Sequence, residues 1–95
     1  MEKLNWETIA YVKFNGEVPI DEFLNSLTPK QEAKVLRSIE LLEEFGIGLG
    51  GPHVAYLEDG IYELRTKLST NIFRTTLFHW DGNQIVLLHG FQKKT

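Results

Sequence analysis

Cationic side chains in the last third of the sequence are suited to contacts with phosphate groups. Arg65 and Lys67 alternate within one segment, and Arg74 follows in the next. Lys93 and Lys94 come near the end of the sequence. Guanidinium and ammonium groups bind phosphate oxygens through charge-assisted hydrogen bonds. If neighbouring strands carry these segments, the cations converge on one surface that suits a polyanion such as RNA.

Aromatic and imidazole side chains share the last of these segments with Lys93. Alternation along a strand places His89, Phe91 and Lys93 on one face. Aromatic rings stack on nucleic-acid bases, and histidine exchanges protons near neutral pH. The face that carries His89 and Phe91 is therefore compatible with base stacking, and a role for His89 as an acid or base stays open.

The same residues also have structural alternatives. Arg65 beside Glu63 can form an ordinary surface ion pair, which contributes under about 1 kcal/mol. A cation at a strand end can serve only to discourage edge pairing. Residues 1–60 carry five basic and eleven acidic side chains, whereas residues 61–95 carry five basic and two acidic ones. The chain is acidic at −3 overall, but its last third is locally positive. This asymmetry either favours binding to polyanions or reflects ordinary scatter of charges along the sequence.

Other chemistries lack the residues or the spacing that they need. The sequence has no cysteine, which excludes disulfides, cysteine–zinc sites and a thiol nucleophile. His53, His79 and His89 do not stand at metal-ligand spacing, and no serine lies in a GxSxG motif. The glycine-rich segment 46–52 follows a predicted helix, which is not typical of a phosphate-binding loop. We expect neither a metal nor another cofactor.

Length and composition predict a single domain over residues 1–95. A content of 42% hydrophobic and 24% charged residues is ordinary for a soluble globular domain. No apolar run approaches the roughly 18–20 residues of a membrane-spanning helix. The lack of cysteine favours the cytoplasm, because small secreted domains often depend on disulfides.

Two helices and several strands must position the cations. Apolar residues at helical spacing predict a helix over about 19–27, and Thr28-Pro29 with Gln31 predicts the capping box of a helix over about 29–45. β-branched and aromatic residues predict strands over 8–14, 61–67, 72–80 and 84–92.

Asp81-Gly82 is typical of the hairpin turn between the last two strands. Residues 53–57 are too few to classify. The predicted order is β-α-α-β-β-β, an α+β domain with two helices packed on an antiparallel sheet.

The C-terminal motifs resemble those of a toxin family. They are Gly60-Ile-Tyr-Glu-Leu-Arg65, Asn71-Ile-Phe-Arg74 and Val86-Leu-Leu-His-Gly-Phe-Gln-Lys-Lys-Thr95. Together with Ile20-Asp-Glu-Phe-Leu, which is similar to the family's first helix, they resemble the phage-derived, HigB-like branch of the RelE/ParE toxin superfamily. The resemblance covers roughly residues 10–95 and implies a RelE-like fold.

The resemblance also implies the toxin of a type II toxin–antitoxin pair. Members similar to HigB and RelE are ribosome-dependent endoribonucleases that cut mRNA in the ribosomal A site. They use no metal, and the ribose 2′-hydroxyl attacks the phosphate in line. The implied partners are a helix-turn-helix antitoxin, the ribosome and mRNA.

The resemblance assigns roles to individual cations, which orient the scissile phosphate and stabilise its developing charge. Arg65 matches the arginine of the family's ELR motif, and Arg74 matches that of the following strand. Lys93 and Lys94 match the lysine pair after HGF, whereas Lys67 shares only the charge and the face. The expected catalytic residues are Arg65, Arg74 and Lys93, and the expected RNA-binding residues are Lys67, His89, Phe91 and Lys94.

A non-catalytic binding module is the alternative. Relatives usually continue past the position of Thr95 into a C-terminal helix, and the ribosome-directed nucleases of this superfamily are commonly basic. A decayed toxin, or a ParE-like toxin that acts by binding protein, would carry similar motifs and pair with a similar antitoxin.

Overall fold

Five strands and two helices form the fold within residues 5–93, which the computed structural model describes. In chain order the elements are β1 (Glu7–Ala10), α1 (Pro19–Asn25), α2 (Pro29–Phe45), β2 (Val54–Glu58), β3 (Ile61–Leu68), β4 (Asn71–Asp81) and β5 (Gln84–Lys93), with a 3-10 turn over Gly46–Leu49. The strands form one sheet in the order β1-β5-β4-β3-β2.

The α+β class and the predicted order of elements are confirmed, with one strand added. The segment that was too short to classify contains β2, which lies at the edge of the sheet beside β3. Neighbouring strands from β2 to β5 are antiparallel, whereas β1 runs parallel to β5, with Thr8 opposite Ile85. The sheet is therefore mixed rather than antiparallel throughout. No tight turn joins β1 to β5, so nothing forces this pair to be antiparallel.

β1 is shorter than the strand predicted over 8–14. The Tyr11 N–H still donates to the Leu87 carbonyl at 2.9 Å, but the chain then turns away from the sheet. The strand prediction is wrong for residues 11–14, whose β-forming side chains point to solvent; Phe14 is fully exposed. Within the described residues, the half of β5 from Leu88 to Lys93 therefore has no strand beside it on the β1 side.

The predicted capping box begins α2. The Gln31 N–H donates to Thr28 Oγ1 at 3.2 Å, and the Thr28 N–H donates to Gln31 Oε1 at 3.0 Å. Gly46 ends the helix with φ of 68°, and a Cβ there would overlap the Trp6 indole. Both the positive φ and the close ring require glycine at this position.

Both helices pack their apolar sides on one face of the sheet. The buried helical residues are Ile20 and Phe23 of α1 and Val35, Ile39 and Leu42 of α2. They meet a layer of buried sheet residues: Val54, Leu64, Phe73, Leu77, Ile85 and Leu87. We name the other side of the sheet the open face, because none of the described helices covers it. None of these helices is both long and apolar enough to cross a membrane.

A bulge in β5 decides which of its side chains reach the open face. Leu77 pairs with Leu87, but the preceding Thr76 pairs with His89, so Leu88 is an extra residue in β5. Strict alternation would place His89 on the same side as Leu87, beneath the helices. The bulge shifts this alternation by one residue, and His89 lies on the open face.

Candidate functional site

Three antiparallel strands bring most of the predicted site residues together on the open face. Directly opposed residues form rows across β3, β4 and β5, and the side chains of one row share a face. The rows are Glu63–Thr76–His89, Arg65–Arg74–Phe91 and Lys67–Ile72–Lys93. We name these nine residues the cationic face. Neighbouring strands lie about 4.8 Å apart, so cations from all three strands can contact one bound molecule.

One buried carboxylate links the two arginines. Glu63 Oε2 accepts a hydrogen bond from Arg65 Nε at 2.9 Å and another from Arg74 Nη1 at 2.5 Å. Glu63 is only 5% exposed. A buried charge costs free energy unless it is paired, so the two guanidiniums make this burial tolerable. The ion pair considered as the structural alternative for Arg65 is therefore present, but its carboxylate is buried and shared.

The two arginines differ in how far they reach solvent. The side chain of Arg65 is 42% exposed, whereas that of Arg74 is 16% exposed. Arg65 contacts Glu63 through Nε, which leaves both of its Nη groups for another partner. Arg74 Nε is buried and has no hydrogen-bond partner among the described residues. Arg65 is therefore the arginine that can contact a bound phosphate directly, and Arg74 is largely enclosed by protein.

A cavity of about 290 Å³ opens beside Arg65. Its lining consists of Pro52, His53, Arg65, Lys67 and Ile72. The backbone fixes His53 there, because the Arg65 N–H donates to the His53 carbonyl at 2.7 Å. The sequence prediction missed His53 as a site residue, since only its imidazole marked it and its segment had no clear strand pattern. The cavity combines two permanent cations, an imidazole and apolar walls.

The β5 side of the cationic face carries the predicted aromatic residues. The rings of His89 and Phe91 lie 6.0 Å apart at an interplanar angle of 38°. Phe91 is 41% exposed, so its ring is accessible for stacking. Lys93 is exposed at the end of β5, and Lys94 lies outside the described residues.

The cationic face is positive although the chain is acidic. Its permanent cations are Arg65, Lys67, Arg74 and Lys93, and Glu63 is its one acidic member. These nine residues therefore carry four positive charges and one negative charge, against a net charge of −3 for the whole chain. A local positive field of this kind steers polyanions even to an acidic protein.

A second hollow, of about 470 Å³, lies between α1 and the uncovered half of β5. Phe23 and Leu27 line its helical side, together with Glu22, and His89 to Gln92 line its sheet side. Alternate residues of an uncovered strand present unpaired N–H and C=O groups to this edge. Such an edge beside apolar side chains can accept an extended segment of another chain.

Sequence comparison places the chain in a family. The family model described as "Phage derived protein Gp49-like (DUF891)" matches residues 22–95, which include every residue of the cationic face. No curated protein matches the sequence. The matched family is toxin-like and is related to RelE and HigB. The two helices on a mixed sheet are consistent with the RelE-like fold. The chain therefore belongs to the Gp49-like, phage-derived family of toxin–antitoxin toxins.

Proposed function

We propose that this chain cuts mRNA on the ribosome and is neutralised by a helix-turn-helix antitoxin. The observation that carries the proposal is the cationic face, on which Arg65 reaches solvent at the cavity beside His53. The family membership supports a toxin of a toxin–antitoxin pair. The nuclease reaction and the ribosome are our extension of that membership.

In the proposed reaction, side chains of this protein supply the catalytic groups. The ribose 2′-oxygen attacks the adjacent phosphorus, and the bond to the 5′-oxygen of the next nucleotide breaks. The 2′-hydroxyl loses a proton, the departing 5′-oxygen gains one, and a 2′,3′-cyclic phosphate forms. Negative charge grows on the non-bridging oxygens, where fixed donors stabilise it most strongly. We assign this stabilisation to Arg65, supported by the charge of Arg74 in the neighbouring strand.

Proton transfer is assigned to His53. A phosphate bound by Arg65 and Lys67 would bring the reacting oxygens close to the imidazole that lines the same cavity. His89 belongs to β5, two strands away from Arg65, and its ring lies against Phe91. We therefore assign His89 and Phe91 to base contacts, and Lys67, Lys93 and Lys94 to the RNA backbone.

A reconstituted translation system with mapping of mRNA 5′ ends tests the nuclease proposal. We expect new ends within ribosome-bound codons and none in mRNA without ribosomes. Arg65→Ala should remove these ends. Arg37→Ala, which removes an exposed arginine on α2, is the matched control and should retain them. Intact mRNA after treatment with the parent chain during active translation would exclude the nuclease.

We propose that the antitoxin binds at the uncovered half of β5. The hollow between α1 and this strand places Leu27 beside a stretch of β5 that has no strand next to it on this side among the described residues, and Phe14 lies exposed on the loop after β1. Co-expression with the neighbouring gene product, followed by size exclusion and hydrogen exchange, tests this. We expect one complex with protected amides in Leu88–Lys93; separate elution at micromolar concentration would count against it.

A non-catalytic toxin is the second candidate, favoured by the enclosure of Arg74 and by the acidic net charge. In that case the chain would bind the antitoxin as above but leave all mRNA ends unchanged. The translation assay and the co-expression assay therefore separate the two candidates.

A further inference from the structure

Glu63 is the member of the cationic face that RNA attraction does not explain. Its negative charge lowers the local positive potential, and its burial to 5% exposure costs desolvation. A surface that only attracts phosphate would be more effective without it. Its contacts with both arginines point to a different role.

The register places Arg65 directly opposite Arg74 in neighbouring strands. Like charges at directly opposed positions of a sheet repel each other. Glu63 lies one row away and provides a single oxygen, Oε2, to both guanidiniums. The carboxylate therefore allows two arginines to share one row.

The contact with Arg65 also fixes the direction of its guanidinium. Glu63 accepts the Nε–H, so the edge that carries Nη1 and Nη2 is left for another acceptor. These two groups form the planar fork that binds a phosphate through two parallel hydrogen bonds. Arg74 gives Nη1 to the same oxygen and is mostly enclosed, so it anchors Glu63 from the opposite side.

We infer that Glu63 is a positioning residue, held by Arg74, that orients Arg65 toward a phosphate in the adjacent cavity. In its kinetic part this inference rests on the proposed nuclease function. It divides the two arginines by role: Arg65 contacts the phosphate, and Arg74 acts through Glu63.

The inference predicts opposite effects on binding and on cleavage. Glu63→Gln removes a negative charge, so the affinity for RNA should stay the same or rise. Cleavage should fall, because a neutral amide holds the guanidinium less strongly than a carboxylate does. Loss of a residue that merely supports the fold would instead weaken both together.

The experiment compares the parent chain with the Glu63→Gln and Glu63→Asp variants in three measurements. These are nitrogen-15 NMR of the arginine Nε–H groups, binding of a labelled 2′-deoxy-substituted RNA oligonucleotide, and cleavage. The aspartate variant keeps the charge but withdraws the oxygen by one methylene. In both variants we expect the Arg65 Nε–H to exchange with water about ten-fold faster or more, since a charge-assisted bond is removed or lengthened. The Arg37 signal is the internal control and should not change.

The turnover number should fall by about ten-fold or more, as for other losses of preorganised charge, without weaker RNA binding. Unchanged Arg65 exchange in either folded variant would overturn the inference. So would parental cleavage rates, or a fall in RNA affinity that parallels the fall in cleavage. If the parent itself does not cleave, only the nuclease proposal fails, and the exchange measurement still decides whether Glu63 positions Arg65.

Discussion

Phe23 of α1 packs against the backbone of Gly90 in β5, in the space that a Cβ at position 90 would occupy. This contact holds α1 against the β5 segment around Gly90. The opposite, open face of the same segment carries His89 and Phe91. The missing side chain at position 90 is thus what allows the helix to approach the sheet behind the cationic face.

Gly90→Ala should therefore destabilise the fold. The added methyl group overlaps the Phe23 ring, and overpacking of this kind costs about 1–3 kcal/mol. Urea unfolding followed by circular dichroism measures the loss. Gly48→Ala is the control, because a Cβ there meets no atom within 4 Å, and we expect a change within about 0.5 kcal/mol. Equal effects at both positions would contradict the packing explanation.

Arg65 should not be replaceable by lysine. The donors of an ammonium group all lie on one tetrahedral nitrogen, so lysine cannot hold Glu63 and also present a planar fork of two nitrogens to phosphate. Arg65→Lys should therefore not preserve cleavage. Arg65→Ala should lower the cleavage rate by about 10²–10³, as loss of one preorganised donor does in other enzymes. Single-turnover cleavage of ribosome-bound mRNA gives the rates. An Arg65→Ala protein with the parental rate would leave its ion pair with Glu63 as the better explanation of this residue.

His53 should matter more for the chemical step than His89. Loss of a general acid or base lowers a rate by about 10²–10⁴, so His53→Ala should reduce the turnover number by that range. His89→Ala should act mainly on the Michaelis constant, because its ring lies beside Phe91 rather than in the cavity. The reverse pattern in steady-state kinetics would move proton transfer to His89.

Lys67 and Lys93 should act through binding. They occupy the same row of the cationic face, on either side of Ile72, and both are exposed. Each alanine substitution should weaken binding of single-stranded RNA. It should also make the slope of log binding constant against log salt concentration shallower, by about 0.7 for each phosphate that the protein no longer neutralises. Fluorescence anisotropy across a salt series measures both effects. Lys34→Ala on α2 should leave the slope unchanged.

The capping box should contribute measurably to stability. Thr28→Ala removes the oxygen that accepts the Gln31 N–H and should lower the free energy of unfolding by about 0.5–2 kcal/mol. Thr28→Ser keeps that oxygen and should recover most of the loss. An alanine variant as stable as the parent in urea would show that solvent satisfies this helix end equally well.

Local signals explain which parts of the fold the sequence could predict. The capping box at Thr28 and the hairpin signal at Asp81-Gly82 depend on neighbouring residues only. The capping box is where it was predicted. The hairpin also forms, but its turn residues are Gly82 and Asn83, because Asp81 still pairs with Gln84 in the sheet. Alternation correctly placed Arg65 and Lys67 on the face away from the helices, because β3 is a regular strand.

The remaining features depend on contacts between distant segments. The bulge at Leu88 arises from the pairing of β4 with β5, and no local motif marks it. The position of His53 depends on a backbone hydrogen bond across β2 and β3. The sharing of Glu63 by two arginines requires knowing that Arg74 lies opposite Arg65.

The parallel pairing of β1 with β5 has a consequence for the order in which the protein can form during its synthesis. Gln84 Nε2 donates to Glu7 Oε1 at 3.1 Å between residues 77 positions apart. At about 5–20 residues per second, a ribosome needs roughly 4–15 s to add the intervening chain. During that interval β1 can contact α2, where Thr8 Oγ1 donates to Glu43, but β5, which pairs with it in the sheet, does not yet exist. The segment that carries His89, Phe91 and Lys93 does not yet exist either. The β1 edge of the sheet and the cationic face are therefore completed together, because both depend on the synthesis of β5.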